Sequence, residues 1–195
     1  MRQRHRFGEP NMMPRGFQWT AYAILALVLT GMLVAGCTPA PVVVTPDEWA
    51  AIYATVIRRI YTTDDTFGGT LAPDTLFIIR ATDDAAADPL AERSESVTLS
   101  EQVQADITAA LDDLPTRIEW VDSRDDVPLD PETNGVAGDG AIITLGTIHP
   151  QEDGAVHVAG SIYVAMLAAG GQTYVMEQVD GVWTITGTTG PIWMS

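Results

Sequence analysis

Two histidines in the C-terminal half have a spacing that could bring two metal ligands together. His149 ends one apolar run, and His157 lies near the start of the next, with the polar segment PQEDG between them. If the chain turns on residues 152–154, the two imidazoles lie directly opposite each other on one sheet face and could share a divalent metal with an acidic residue of the turn. A two-residue turn on Asp153-Gly154 would place them on opposite faces. The ordinary interpretation is two polar residues beside an exposed hairpin, and a zinc titration by calorimetry separates these alternatives.

The acidic segment 124–140, RDDVPLDPETNGVAGDG, is a second candidate for metal binding. Four of its residues fit positions 1, 3, 5 and 6 of an EF-hand calcium loop, namely Asp130, Glu132, Asn134 and Gly135. Position 12, which is a bidentate glutamate in such loops, is Ala141 here. The pattern therefore predicts a turn-rich loop rather than a calcium site of this class.

The sequence carries no phosphate loop, no H-E-x-x-H and no G-x-S-x-G motif, so we assign no catalytic residue and no cofactor. Four pairs of adjacent aspartates lie in or beside predicted loops, and we expect them to be solvated: 64–65, 83–84, 112–113 and 125–126. If the domain instead contains an apolar pocket, its candidate lining residues are Ser161, Tyr163 and Trp183.

The single cysteine, Cys37, follows a positively charged start and an apolar stretch from Ala21 to Val34. That stretch has the length of a signal-peptide core and is short for a bilayer span of about 20 apolar residues. The order Val34-Ala35-Gly36-Cys37 resembles the lipobox of bacterial lipoproteins. The resemblance implies that the Cys37 thiol receives a diacylglycerol and that the chain is cut just before Cys37.

An uncleaved signal anchor is the alternative interpretation of this N-terminal segment, and it also tethers the protein to a membrane. Met12 and Met13 are alternative starts that would give a signal sequence of ordinary length. Thr38 after the cysteine implies, by the same resemblance, sorting to an outer membrane if the cell has one. We thus expect an extracytoplasmic, lipid-anchored protein with a signal at 1–36, a tether at 37–45 and one domain at 46–195.

The part of the chain from Cys37 onward is strongly acidic. Its 159 residues include six arginines, no lysine and 25 acidic residues, which give a net charge of −19. Such a surface repels nucleic acid, because phosphate binding depends on lysine and arginine. With Cys37 lipidated, the domain has no thiol for a disulfide, a cysteine metal site or cysteine catalysis.

Two amphipathic helices are predicted. TPDE (45–48) starts the first, with Thr45 and Glu48 as a capping box and Pro46 at the first helical position. Its apolar stripe runs from Trp49 to Tyr61 at helical spacing. The second helix spans about 100–114 and ends before Pro115.

Strands are predicted at 75–80 and 117–123 and then almost continuously from Ala141 onward, with PQEDG, AAGGQ and DG as separators. Alternation in the longest strand places Val156, Val158, Ile162, Val164 and Met166 on one face. The pattern predicts an α+β domain in which two amphipathic helices pack on a C-terminal antiparallel meander. Its closing hairpin, YVMEQVDGVWTITG, is similar to that of cystatin-like and nuclear-transport-factor-like rolls, although here a strand stands between the helices.

These patterns together favour a cell-envelope lipoprotein with an acidic, non-catalytic binding or scaffolding domain. Its partners would be the membrane, through the lipid on Cys37, and a protein of the envelope, with nucleic acid excluded. One alternative is a roll whose apolar pocket holds a small ligand or a hydrolytic site. The other is divalent-metal binding at His149 and His157.

Overall fold

A computed structural model describes residues 43–91 and 95–195, and these belong to one compact unit. The predicted signal peptide, the lipobox-like motif and Cys37 lie outside the described residues. None of the described helices is long and apolar enough to cross a membrane. The elements are α1 (Pro46–Thr62), β1 (Thr75–Ile79), α2 (Glu101–Ala110), β2 (Arg117–Val121), β3 (Gly140–Leu145), β4 (His149–Pro150), β5 (Val156–Ala165), β6 (Ala168–Val179) and β7 (Val182–Met194), with short 3-10 turns at Asp84–Ala86 and Arg124–Asp126.

The seven strands form one mixed sheet in the order β2-β1-β3-β5-β6-β7, and β4 pairs with β5 beyond the end of β3. β1 pairs in parallel with both β2 and β3, whereas every other pairing is antiparallel. The predicted α+β class, with two helices packed on a sheet that ends in the meander β5-β6-β7, is confirmed. The β6–β7 hairpin turns on Asp180-Gly181, both at positive φ, as the DG dipeptide predicts.

Helix α1 forms where the capping signals place it. The Thr45 amide and hydroxyl both donate to Glu48 Oε2 at 2.9 Å, and the predicted apolar stripe is almost entirely buried. The stripe packs on what we call the helix face of the sheet, whose buried side chains include Ile78, Ile143 and Val158. Burial of this stripe, rather than helix propensity, supplies most of the stability of such a helix.

Helix α2 packs beside α1 and is fixed to it by an arginine fork. The guanidinium of Arg58 donates to both carboxylate oxygens of Asp113 at 2.7 Å and to the Ala110 carbonyl at 2.9 Å. The hydrogen bonds from Arg58 lower the pKa of Asp113. The predicted second helix ends at Ala110, four residues earlier than expected, and the turn that follows it places Asp113 against Arg58.

The opposite face of the sheet is covered by the long acidic segment 122–139. Val127 from this segment is buried against Phe77 and Ile142. The Arg124 guanidinium lies 3.8 Å from the centre of the Tyr163 ring, and the Tyr163 hydroxyl donates to the Asn134 carbonyl at 2.6 Å. The segment is thus a loop, as predicted, but one that acts as a second layer over the sheet.

Two details of the predicted meander are wrong. The segment 168–172, AAGGQ, was expected to separate two strands, but it begins β6 and pairs with β5. The turn is instead formed by Met166 and Leu167, so Met166 is exposed rather than on the buried face of the strand. The glycines of this segment suggested a turn. Glycine within a strand, however, often marks a place where other groups approach the backbone closely. At Gly170 a Cβ would lie only 2.9 Å from the Thr66 methyl group.

We predict that the substitution Gly160→Val destabilises the domain. A Cβ at Gly160 would already lie 3.0 to 3.1 Å from side-chain atoms of Ile60, Tyr174 and Val56, so the two further methyl groups of valine would overpack the contact between α1 and the sheet. Overpacking of this kind costs about 1–3 kcal/mol. Gly187→Val in β7 is the matched control, because nothing lies within 4 Å of its added Cβ. Equal midpoints for the two variants in urea unfolding would contradict the prediction.

Candidate functional site

The two histidines lie where the wider of the two turns would place them. His149 in β4 is directly opposite His157 in β5, and Gln151 and Ala155 close the turn between them. His149 Nε2 lies 2.9 Å from Asp84 Oδ2. Among residues 43–91 and 95–195, however, no group of three or more His, Cys, Asp or Glu side chains is arranged to hold a metal ion. Metal binding at His149 and His157 stays a prediction.

The EF-hand-like residues form a small self-contained turn. Asp130 Oδ1 accepts hydrogen bonds from the amides of Glu132 and Thr133 at 2.9 Å and from the Thr133 hydroxyl at 3.0 Å. These bonds lower the pKa of Asp130, the amide of Thr133 contributing most. This oxygen therefore serves the turn itself, which is the structural role expected from the sequence.

The three candidate pocket residues are not brought together. Tyr163 lies under the acidic loop, as described above, and Trp183 is buried with its indole N–H donating to Glu48 Oε1 at 3.2 Å. Trp183 borders an acidic depression of about 600 Å³ that also contains Glu48, Asp153 and Glu177. Ser161 alone lines a distinct pocket elsewhere.

That pocket has a volume of about 240 Å³ and lies between the C-terminal end of α1, the loop that follows it, and the sheet. A register shift between β6 and β7 opens the sheet here. Between the pairs Gly171–Trp193 and Thr173–Thr189, β6 has one residue and β7 has three, which include Gly190 at positive φ and Pro191. Such a bulge interrupts the ladder of hydrogen bonds, and proline cannot donate to it. The polar side chains that line the pocket are those of Thr63, Asp64, Thr66, Ser161, Gln172, Tyr174 and Trp193.

Among the residues that line the pocket, Asp64 is the only Asp, Glu, Lys, Arg or His. One of its carboxylate oxygens accepts several hydrogen bonds from the protein. Oδ2 accepts hydrogen bonds from Arg59 Nε at 2.9 Å, Gln172 Nε2 at 2.9 Å and the Tyr174 hydroxyl at 3.2 Å. No described residue donates to Oδ1. Burial raises the pKa of Tyr174, and the nearby Asp64 charge adds to the rise. Tyr174 therefore stays protonated at neutral pH and acts as a fixed donor to the carboxylate.

The wall formed by the loop after α1 depends on a second carboxylate. Asp65 is fully buried, and it accepts hydrogen bonds of 2.7 to 2.8 Å from the backbone amides of Phe67, Gly69 and Leu71. Gly69 has φ +80°, and a Cβ there would lie 2.2 Å from the Thr62 carbonyl oxygen. The loop is thus wrapped around the Asp65 carboxylate and tight against the last turn of α1.

Sequence reasoning missed this site because it assigned the pair Asp64-Asp65 to the solvated surface. That prediction is wrong for Asp65, which has no exposed surface, and Asp64 is only 21 % exposed. Two signals were available: the glycines of DTFGG (65–69), which allow backbone amides to converge on a side chain, and the Gly-Pro dipeptide inside the last strand.

Comparison with known proteins gives no match to this chain, whether to a family model, to a characterised protein or to a solved structure. What the pocket does must therefore be inferred from its own geometry. It offers a fixed carboxylate, a protonated phenol, an amide and a hydroxyl beside apolar side chains. This is a set of groups suited to holding a small polar molecule in one orientation.

We predict that Asp65→Asn lowers the thermal midpoint of the domain. An asparagine replaces one acceptor oxygen with an NH2 group that faces backbone N–H donors, and a buried polar group without a partner costs about 1–3 kcal/mol. Asp112→Asn makes the same change at an exposed position and should leave the midpoint almost unaltered. Differential scanning calorimetry of both variants checks this, and equal midpoints would show that the loop does not depend on the carboxylate.

Proposed function

We propose that this protein is an extracytoplasmic lipoprotein, anchored through Cys37, whose domain binds a small ligand in the Asp64 pocket without transforming it. The observation that carries the proposal is the Asp64 carboxylate, held in a pocket of about 240 Å³ by three donors on one oxygen. A group fixed in this way needs no rearrangement before a ligand binds, which reduces the cost of binding.

The polar groups of the pocket are suited to holding a ligand rather than to moving protons. Tyr174 has a raised pKa, and its hydroxyl donates a hydrogen bond to Asp64, so it is a poor general acid near neutral pH. Asp64 uses Oδ2 to accept three hydrogen bonds, and the Arg59 guanidinium is one of the donors. Both side chains thus have a defined role as fixed donor and fixed acceptor.

The position of the pocket suits a domain tethered at its N-terminus. The described chain begins at Val43, six residues after Cys37, and six extended residues span at most about 20 Å. Helix α1 then runs for 17 residues, about 25 Å, before it reaches the loop that walls the pocket. The pocket thus lies beside the C-terminal end of α1, whereas the proposed tether precedes the N-terminal end of this helix in the sequence.

We predict that Cys37→Ser abolishes lipidation. If Cys37 is the attachment point, cells fed an alkyne analogue of palmitate should label the wild-type protein, and the variant should carry no label because serine has no thiol. The variant should also keep its signal and migrate as a larger species in a denaturing gel. Equal labelling of both proteins would contradict the anchor.

We also predict that a bulky side chain in the pocket displaces a bound small molecule. Wild-type protein extracted gently from its own envelope, then rapidly desalted and denatured, should release a compound detectable by mass spectrometry. Ser161→Phe should not release it, because the ring occupies the space that Ser161 borders. Thr188→Phe, an exposed site in β7, should behave like wild type. Absence of any released compound from wild type, or its retention by Ser161→Phe, would contradict pocket binding.

A further inference from the structure

We infer that the ligand of the Asp64 pocket carries a protonated amine joined to a short apolar group. This inference rests on the proposed function and names the class of molecule that the pocket selects. It follows from which polar groups of the pocket are already used by the protein and which are not.

The polar groups left over in the pocket are mainly hydrogen-bond acceptors. Gln172 donates from Nε2 to Asp64 Oδ2, so its amide oxygen is available to accept a hydrogen bond. No described residue donates to that oxygen or to Asp64 Oδ1. The Tyr174 hydroxyl and Arg59 Nε both donate to Oδ2. The hydroxyls of Ser161 and Thr66 also have no hydrogen bond to a described residue, and each can adapt to either role. An ammonium group, with three donors and no acceptor, matches this set.

The charges around the pocket also favour a cation. Asp65, adjacent to Asp64, is buried with only backbone amides as partners and has no ion pair within the described part of the chain. The two carboxylates are therefore offset by a single guanidinium, that of Arg59, which does not itself line the pocket. The net charge of −19 after the lipobox adds a long-range attraction for cations. A carboxylate or phosphate ligand would instead meet Asp64 directly.

The mouth of the pocket provides an apolar contact for the rest of the ligand. Ile192 and Met194, at the end of β7, are 61 % and 75 % exposed, and both line the pocket together with Ile162. Such side chains would contact a short alkyl group while the ammonium group reaches Asp64. An ammonium ion without a carbon chain would not make this apolar contact, so the expected ligand is an organic amine.

The test compares three probes of equal chain length: n-butylammonium chloride, n-butanol and sodium butyrate, at matched ionic strength. The full chain is held in nonionic micelles and labelled with ¹⁵N at glycine, because four of its 17 glycines line the pocket: Gly68, Gly160, Gly170 and Gly171. Butylammonium should shift the signals of these glycines saturably, and Gly138 and Gly181 should not move. Butanol should bind at least tenfold more weakly, and butyrate should cause no saturable shift.

Asp64→Asn should weaken butylammonium binding at least tenfold, because an amide NH2 replaces the open carboxylate oxygen while the amide oxygen still accepts from Gln172 and Tyr174. Asp112→Asn removes one negative charge at a distance and should bind like wild type. Dispersed glycine signals in both variants show that each is folded. Equal binding of butanol or butyrate, or full binding by Asp64→Asn, would overturn the ligand class alone. No shift of the pocket glycines by any probe would overturn the ligand class and count against the pocket function as well.

Discussion

The structure depends on the packing of α1 against the sheet. A carboxylate at each end of the helix fixes this packing. Glu48, in the first turn, accepts from Gln178 at 2.7 Å and from Trp183, and Asp64, two residues past the last turn, accepts from Gln172 and Tyr174. Three of these four donors belong to β6. The 17-residue helix is therefore aligned along one strand and fixed at both ends, and the apolar stripe between the two anchors determines the packing of the core.

The close packing of α1 constrains the strands beneath it and the loop that follows it. The backbone of β5 must come near the helix, which requires glycine at position 160 below Ile60 and Val56. At the far end, the chain leaving α1 must turn sharply, and it does so by folding its amides around the buried Asp65 carboxylate. Because β6 and β7 lose register opposite this turn, the helix end, the loop and the bulge leave a space that no side chain of residues 43–91 or 95–195 fills. The pocket is thus a consequence of how α1 ends.

The sequence was sufficient to predict elements whose signals are local. The capping box at Thr45 and Glu48, the apolar stripe of α1 and the DG turn all involve residues within a few positions of one another, and their physics does not require knowledge of the fold. The parallel pairing of β1 with β2 and β3 could not be predicted in this way, since three short apolar runs do not specify which of them are neighbours. The same holds for Asp64, whose partners Gln172 and Tyr174 are more than 100 residues away. An aspartate pair in a polar segment looks solvated until its distant donors are known.

The two anchors of α1 also explain why one end of the domain is a better site than the other. At Glu48 both oxygens are satisfied within the protein: Oε2 by Thr45, and Oε1 by Gln178 and Trp183. The hydrogen bonds from Thr45, its backbone amide first, lower the pKa of Glu48, so the carboxylate is charged and fully committed to structure. The acidic depression beside it therefore has a negative group with little left to offer a ligand. At Asp64 the three donors among the described residues converge on Oδ2, and none of those residues donates to Oδ1. A carboxylate thus joins α1 to a strand at each end of the helix. Glu48 is used by the structure itself, whereas Asp64 leaves one acceptor oxygen in a pocket.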